Sequence, residues 1–114
     1  MSAVVLQRGL IVTVAATGVY SGKPRPAVVV QANQWLQGHP SVTLCPLTST
    51  QLDAPLVRIP VTPNPRNGLN KASQLMADKI FTVPTTSIGA VVGVLDPDRL
   101  SALDLALRAW LDLV

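Results

Sequence analysis

The sequence has few of the residues on which most catalytic and metal sites depend. It contains one cysteine, one histidine and no glutamate, and aromatic residues make up 4% of its 114 positions. A single cysteine cannot form an internal disulfide, and Cys45 lies in an apolar segment typical of a buried structural thiol. One cysteine and one histidine, His39, argue against a zinc site and against catalysis by Cys–His or Ser–His–Asp groups. We therefore expect neither a metal nor a cofactor.

Charge is also scarce, and so are long apolar runs. Charged residues form 13% of the chain, against about 25% in typical soluble domains. Hydrophobic residues form 48%, which excludes intrinsic disorder as the main state. No window approaches the roughly 18 uninterrupted apolar residues of a membrane span, and residues 7–9 interrupt the apolar start that a secretory signal needs. The sequence predicts one cytoplasmic domain, residues 1–114, that does not associate with a membrane.

The charges that are present are unevenly distributed. Residues 1–95 carry seven Lys or Arg against two Asp, which gives +5, whereas residues 96–114 carry two Arg against four Asp, which gives −2. The basic character therefore belongs to the body of the domain, where it favours binding of a polyanion.

Short apolar segments separated by glycine and proline predict a mainly β fold. Residues 25–31, with three consecutive valines, are typical of a strand buried on both faces, and Pro60 suggests an edge strand. Close spacing without long intervening helices indicates a small antiparallel barrel or sandwich. The predicted strands are residues 9–15, 25–31, 41–47, 56–61, 73–83 and 88–95.

The one long helix is expected at the end of the chain. Asp96 is placed to cap it, Pro97 occupies the first helical position, and apolar residues then repeat at spacings of three and four. We expect this stripe to pack on the core. It comprises Leu100, Leu103, Leu107, Trp110 and Val114.

Three local features could support chemistry. Arg25 lies between two prolines at the junction of a glycine-containing loop and a strand, and its planar guanidinium suits phosphate oxygens. Thr48 and Ser49 present hydroxyls at the end of a strand, and Asp78-Lys79 place an acid and a base together in an apolar segment. Each feature alone also has an ordinary structural explanation, such as a surface charge or a capped turn.

In this order and spacing, the features resemble the MazF/PemK toxins of bacterial toxin–antitoxin modules, which are sequence-specific endoribonucleases. The resemblance covers essentially the whole chain. The matching segments are Gly9-Leu10-Ile11-Val12, residues 22–30 (GKPRPAVVV), residues 46–50 (PLTST), Ser73-Gln74 with residues 77–80 (ADKI), and residues 89–93.

The resemblance implies an SH3-like barrel of the CcdB/MazF type with a C-terminal helix. It implies a homodimer whose groove receives single-stranded RNA, and a cognate antitoxin whose acidic tail occupies that groove. Contact with operator DNA would then occur only through the antitoxin. By the same resemblance, Arg25 and Thr48 fall on the two most characteristic active-site positions, and Asp78 matches an acid assigned a base role in some members.

RNA cleavage without a metal requires a base for the 2′-OH, a cation for the phosphorane and a donor for the leaving O5′. Arg25 suits the charge, and Thr48 or Ser49 suits a phosphate oxygen. Asp78 is the available base. The remaining predicted RNA contacts are Lys23 and Lys79, which suit phosphates, and the aromatic Tyr20.

Two alternatives stay open at this level. CcdB-like toxins share the implied architecture but poison DNA gyrase through a C-terminal tryptophan followed by Gly-Ile, whereas Trp110 is followed here by Leu111-Asp112. A degenerate member would bind antitoxin and DNA without cleaving RNA. This alternative arises because residues 17–21 lack the His or Glu that many members carry there.

Overall fold

In the computed structural model, residues 5–15 and 24–113 are described. Its strands are β1 (Leu10–Val14), β2 (Arg25–Val29), β3 (Ser41–Thr48), β4 (Arg58–Val61), β5 (Ser73–Met76), β6 (Phe81–Pro84) and β7 (Ile88–Val94). These seven antiparallel strands form one sheet, in the order β4-β5-β3-β2-β1-β7, and β6 pairs with β3. Within the described residues the terminal strands β4 and β7 do not pair, so the sheet is not closed. No helix among these residues is long and apolar enough to cross a membrane. The other elements among these residues are α1 (Pro97–Leu111) and 3₁₀ turns at Asn33–Trp35, Ala77–Lys79 and Thr85–Ser87.

Both faces of the sheet are apolar at its centre. Val28 of β2 packs in the cluster that includes Leu103 and Leu107 of α1, whereas its neighbours Ala27 and Val29 pack in a second cluster. All three residues are buried, so the prediction of a strand buried on both faces is confirmed. The expected edge position of Pro60 is also confirmed, because β4 ends the strand order.

The predicted single strand over residues 73–83 is wrong in one respect. It is two strands, which pair with successive parts of β3 and are separated by the 3₁₀ turn Ala77–Lys79. At this turn the Ala77 N–H donates to the carbonyl of Val57 (2.9 Å), before β4, and not to β3. This bond continues the β4–β5 register by one residue, whereas the register against β3 shifts between Leu75 and Phe81, so the strand breaks where its pairing with β3 is interrupted.

The helix begins as predicted but its apolar stripe is only partly buried. Pro97 is the first helical residue after Asp96, and Leu103 and Leu107 are buried against the sheet. Trp110 is 53% exposed, so its expected place in the core is wrong. The helix packs on β4 and on the turn Ala77–Lys79, and its buried residues are Leu103 and Leu107. Val114 lies outside the described residues.

Candidate functional site

Two of the predicted site residues meet where β2 begins and β3 ends. Ala27 lies opposite Pro46 in the antiparallel register, and continuing that register by two residues brings Arg25 opposite Thr48. Both residues, together with Ser49, line one cavity of about 360 Å³. Arg25 and Ser49 are exposed and Thr48 is half-buried, so their polar groups can reach a ligand.

The opposite wall of this cavity is the connection between β4 and β5. It contributes Gly68, Leu69, Asn70 and Lys71, and the cavity is completed by residues of β1, β2, β3, β5 and β7. The full lining is Thr13, Pro24, Arg25, Pro26, Leu47, Thr48, Ser49, Gly68, Leu69, Asn70, Lys71, Ser73 and Val92.

A fully buried asparagine holds that wall in place. The Asn67 side chain accepts hydrogen bonds from the N–H groups of Asn64 (3.0 Å) and Leu69 (3.1 Å) and donates one to the carbonyl of Thr62 (2.9 Å). The next residue, Gly68, has a φ of +68°, and a Cβ there would collide with the carbonyl of Val92. Asn67 and Gly68 thus determine how closely the connection approaches β7.

The cavity is basic and rich in hydroxyl groups. Within the described residues, its charged lining residues are Arg25 and Lys71, both cationic. The Thr48 Oγ1 accepts a hydrogen bond from the Thr50 N–H (3.1 Å), which leaves the hydroxyl proton of Thr48 available for a ligand oxygen. This combination of two cations and free hydroxyl donors suits a phosphodiester.

Asp78 and Lys79 are not among the residues that line the cavity. They lie in the 3₁₀ turn between β5 and β6, where the Asp78 Oδ1 is 3.9 Å from the Arg58 Nε. Both atoms are shielded from solvent and have no hydrogen-bond partner among the described residues. Lys79 is exposed. The structure therefore brings Arg25, Thr48 and Ser49 together and leaves the Asp78-Lys79 pair apart from them.

Three further predictions concern Lys23, Tyr20 and Cys45. Lys23 and Tyr20 lie outside the described residues. Cys45 is buried, as predicted, and this burial raises the pKa of its thiol to about 12. A hydrogen bond with the Met76 backbone opposes that shift, and the nearby charge of Asp78 adds to it. A thiol with such a pKa stays protonated near neutral pH and does not act as a nucleophile.

A second, larger cavity has a different character. It has a volume of about 1000 Å³ and is lined by Leu6, Leu36, His39, Thr85, Ile88 and neighbouring residues. Among the described residues that line it there is no lysine, arginine or aspartate. The larger cavity therefore lacks the cations that would attract a polyanion, so the smaller one is the better candidate for the site.

Some of the residues that shape the site were not identified from the sequence. Lys71 is the second cation of the cavity. Asn67 and Gln74 are buried amides next in sequence to the lining residues Gly68 and Ser73. The Asn67-Gly68 pair is a turn signal, which predicted a turn but not its contact with β7. Nothing in the local sequence of Lys71 distinguishes it from any solvent-exposed lysine.

Comparison with known sequences gives one consistent result. Residues 7–111 match the family model described as the PemK-like, MazF-like toxin of type II toxin–antitoxin systems. A protein of Mycolicibacterium smegmatis named as a probable endoribonuclease MazF is 42% identical over 106 residues, which cover 93% of this chain and 96% of that protein.

Comparison with solved structures agrees. The Mycobacterium tuberculosis toxin MazF-mt6 superposes with a TM-score of 0.77 at 26% identity, covering 92% of this chain and 98% of that one. An endoribonuclease in complex with its cognate antitoxin, from a mycobacterial species, also has a TM-score of 0.77, at 22% identity, and covers 96% and 97% of the two chains. At 22% identity, the similarity to this second structure is one of fold only.

Proposed function

Because the chain belongs to the PemK-like, MazF-like toxins of type II toxin–antitoxin systems, we propose that it is an endoribonuclease that cleaves single-stranded RNA at the cavity containing Arg25 and Thr48. One observation carries the proposal: two cations, Arg25 and Lys71, and the hydroxyls of Thr48 and Ser49 line the same cavity. The name of the Mycolicibacterium smegmatis relative supports the same activity.

The proposed reaction needs no metal, because the substrate carries its own nucleophile. The 2′-oxygen attacks the adjacent phosphorus, its proton passes to a base, and the bond from phosphorus to O5′ breaks as O5′ takes up a proton. Arg25 neutralises the charge that develops on the phosphoryl oxygens, and Thr48 or Ser49 donates a hydrogen bond to one of them. Lys71 holds a neighbouring phosphate.

The identity of the base is a separate question. From the sequence, Asp78 is the predicted base for the 2′-OH, and this role stays a prediction. The ion pair with Arg58 and the position of Asp78 in the turn Ala77–Lys79 support a structural role for its carboxylate. An Asp78→Asn variant separates the two roles, because loss of a base lowers the rate of cleavage whereas loss of an ion pair lowers stability.

We also propose the partners that suit this family and this charge distribution. The active form is a homodimer in the cytoplasm, cleavage is specific for RNA sequence, and a cognate antitoxin inhibits it with an acidic segment that competes for the cavity. The net charge of +5 over residues 1–95 supports both polyanionic partners. Operator DNA is contacted through the antitoxin only. Family membership also favours this function over the CcdB-like alternative.

The experiment is cleavage of single-stranded RNA by the purified protein in EDTA. We expect defined fragments from the wild type and a rate about 10²- to 10³-fold lower for Arg25→Ala, because the cation that stabilises the phosphorane is lost. Arg108→Ala is the matched control, since Arg108 is exposed on the last turn of α1. Intact RNA after long incubation with the folded wild type would overturn the proposal and support the degenerate alternative.

A further inference from the structure

Gln74 is a polar side chain in an otherwise buried part of the sheet. It lies in β5 directly opposite Thr48 of β3, and only 8% of it is exposed. A buried amide is costly unless its donor and acceptor are both satisfied. Its partners therefore show what the residue holds in place.

Both of its hydrogen bonds go to the backbone of one residue. The Gln74 Oε1 accepts from the Leu52 N–H (3.2 Å), and the Gln74 Nε2 donates to the Leu52 carbonyl (3.1 Å). Two residues that face each other in an antiparallel sheet exchange the same two bonds, one donated by each N–H and one accepted by each carbonyl. The side chain of Gln74 thus pairs with the loop as a neighbouring strand would.

The loop in question follows Thr48 directly. It comprises residues 49–57 and is called the β3–β4 loop below. The two bonds from Gln74 to Leu52 are called the clamp below. A second contact supports it, because the Gln51 Nε2 donates to the carbonyls of Ser49 (3.4 Å) and Ala72 (3.3 Å). Although its backbone is held, the Leu52 side chain is 53% exposed. The loop therefore presents an apolar side chain at a defined position close to Ser49.

We propose that Gln74 is a positioning residue that holds the β3–β4 loop, whose first residue Ser49 lines the RNA site, and thereby sets which RNA sequence is cleaved. The inference rests on the proposed endoribonuclease function. RNA bases next to a cleaved phosphate are recognised by apolar faces and by fixed polar groups. In a chain with 4% aromatic residues, a clamped loop with an exposed leucine provides such a surface.

The test compares Gln74→Glu with Gln34→Glu. Glutamate at position 74 keeps the size of the side chain and the acceptor for the Leu52 N–H. Its second carboxylate oxygen faces the Leu52 carbonyl in place of the amide donor, and because two acceptors repel each other the clamp opens. Gln34 is exposed in the turn Asn33–Trp35, and its variant adds the same charge away from the cavity. The readouts are kcat and KM on a short RNA, the cleavage sites in a long RNA, and amide hydrogen exchange at Leu52.

For Gln74→Glu we expect kcat/KM to fall about 10- to 100-fold, cleavage to spread to additional sites, and exchange at Leu52 to accelerate. Gln34→Glu should match the wild type in all three. Gln74→Ala, which removes the clamp without adding charge, should give the same altered cleavage pattern. Unchanged cleavage sites in folded Gln74 variants would overturn the inference while leaving the proposed function intact. Absence of cleavage by the wild type would instead overturn the proposed function.

Discussion

The thiol of Cys45 gives a prediction that depends on a single side chain. Burial raises its pKa to about 12, against 9.0 for an exposed thiol, so the folded state holds the proton more tightly than the unfolded state. The contribution of this thiol to the free energy of unfolding is fully present below pH 9.0 and is lost as the pH rises towards about 12. In that window the free energy of unfolding should fall by about 1.4 kcal/mol per pH unit.

Urea unfolding at pH 8 and pH 10 measures this effect. The matched variant is Cys45→Ala, which lacks the titrating group but keeps the other groups that ionise in this range. We expect the wild type to lose more stability than the variant between the two pH values. Equal losses in both proteins would show that the thiol ionises normally in the folded state.

Asp78 is a second case in which one substitution separates two roles. If its carboxylate serves the ion pair with Arg58, Asp78→Asn should cost about 1–3 kcal/mol of stability and leave kcat within about tenfold of the wild type. A general base is worth about 10²- to 10⁴-fold in rate. We expect the first outcome, because the Oδ1 of Asp78 is shielded and close to the Arg58 Nε.

The measurements are urea unfolding and single-turnover cleavage across a pH range. Asp112→Asn is the control, because Asp112 is exposed at the C-terminal end of α1. A stable Asp78→Asn protein with a rate lowered by more than about 10²-fold would identify Asp78 as the base.

At the scale of an element, the connection between β4 and β5 depends on Asn67. Asn67→Ala leaves the N–H groups of Asn64 and Leu69 and the carbonyl of Thr62 without their partner. An unsatisfied buried group costs about 1–3 kcal/mol. Because Thr62 is exposed and Asn64 and Leu69 are half-buried, water satisfies the freed groups in part, and we expect a total loss of about 3 kcal/mol in urea unfolding. The cavity wall that carries Lys71 should loosen with it.

Asn70→Ala is the matched control for this element, because Asn70 is exposed in the same connection. It should change stability by less than about 0.5 kcal/mol. Loss of comparable stability in both variants would mean that the buried hydrogen bonds of Asn67 are not what holds the connection.

The elements also show how far local patterns predict structure. The start of α1 after Asp96, with Pro97 as its first residue, followed from signals that are adjacent in sequence. The Asp96 carboxylate itself makes no cap hydrogen bond and accepts instead from the distant Asn64 Nδ2, which no local pattern predicted. The exposure of Trp110 did not follow, because it depends on which distant elements α1 packs against, here β4 and the turn Ala77–Lys79. The break at Ala77 was equally absent from the local pattern, since it depends on the shift of register against β3 between Leu75 and Phe81.

For the whole molecule, the charge distribution predicts how RNA binding responds to salt. Each phosphate neutralised on a single strand contributes about 0.7 to the slope of log K against log salt. We expect Lys71→Ala to weaken binding and to reduce that slope by about 0.7, because Lys71 is one of the two cations lining the cavity.

Fluorescence anisotropy with an RNA lacking the attacking 2′-OH measures this slope without cleavage. Arg108→Ala, with its charge on the far turn of α1, is expected to leave the slope unchanged. An unchanged slope in Lys71→Ala would remove Lys71 from the phosphate contacts while leaving the role of Arg25 open to its own test.

The sequence by itself determined the mainly β fold with its final helix, the basic body and the nomination of Arg25, Thr48 and Ser49, which line one cavity. These follow from periodicity, capping and motif order, which depend on residues close together along the chain. Only the tertiary structure decided that Asp78 lies beside Arg58, outside the lining of that cavity, and that Lys71 lies within the lining. The physical reason is that both placements depend on contacts between segments: the β4–β5 register sets Arg58 opposite Met76, two residues before Asp78, and the buried Asn67 amide holds the connection that carries Lys71.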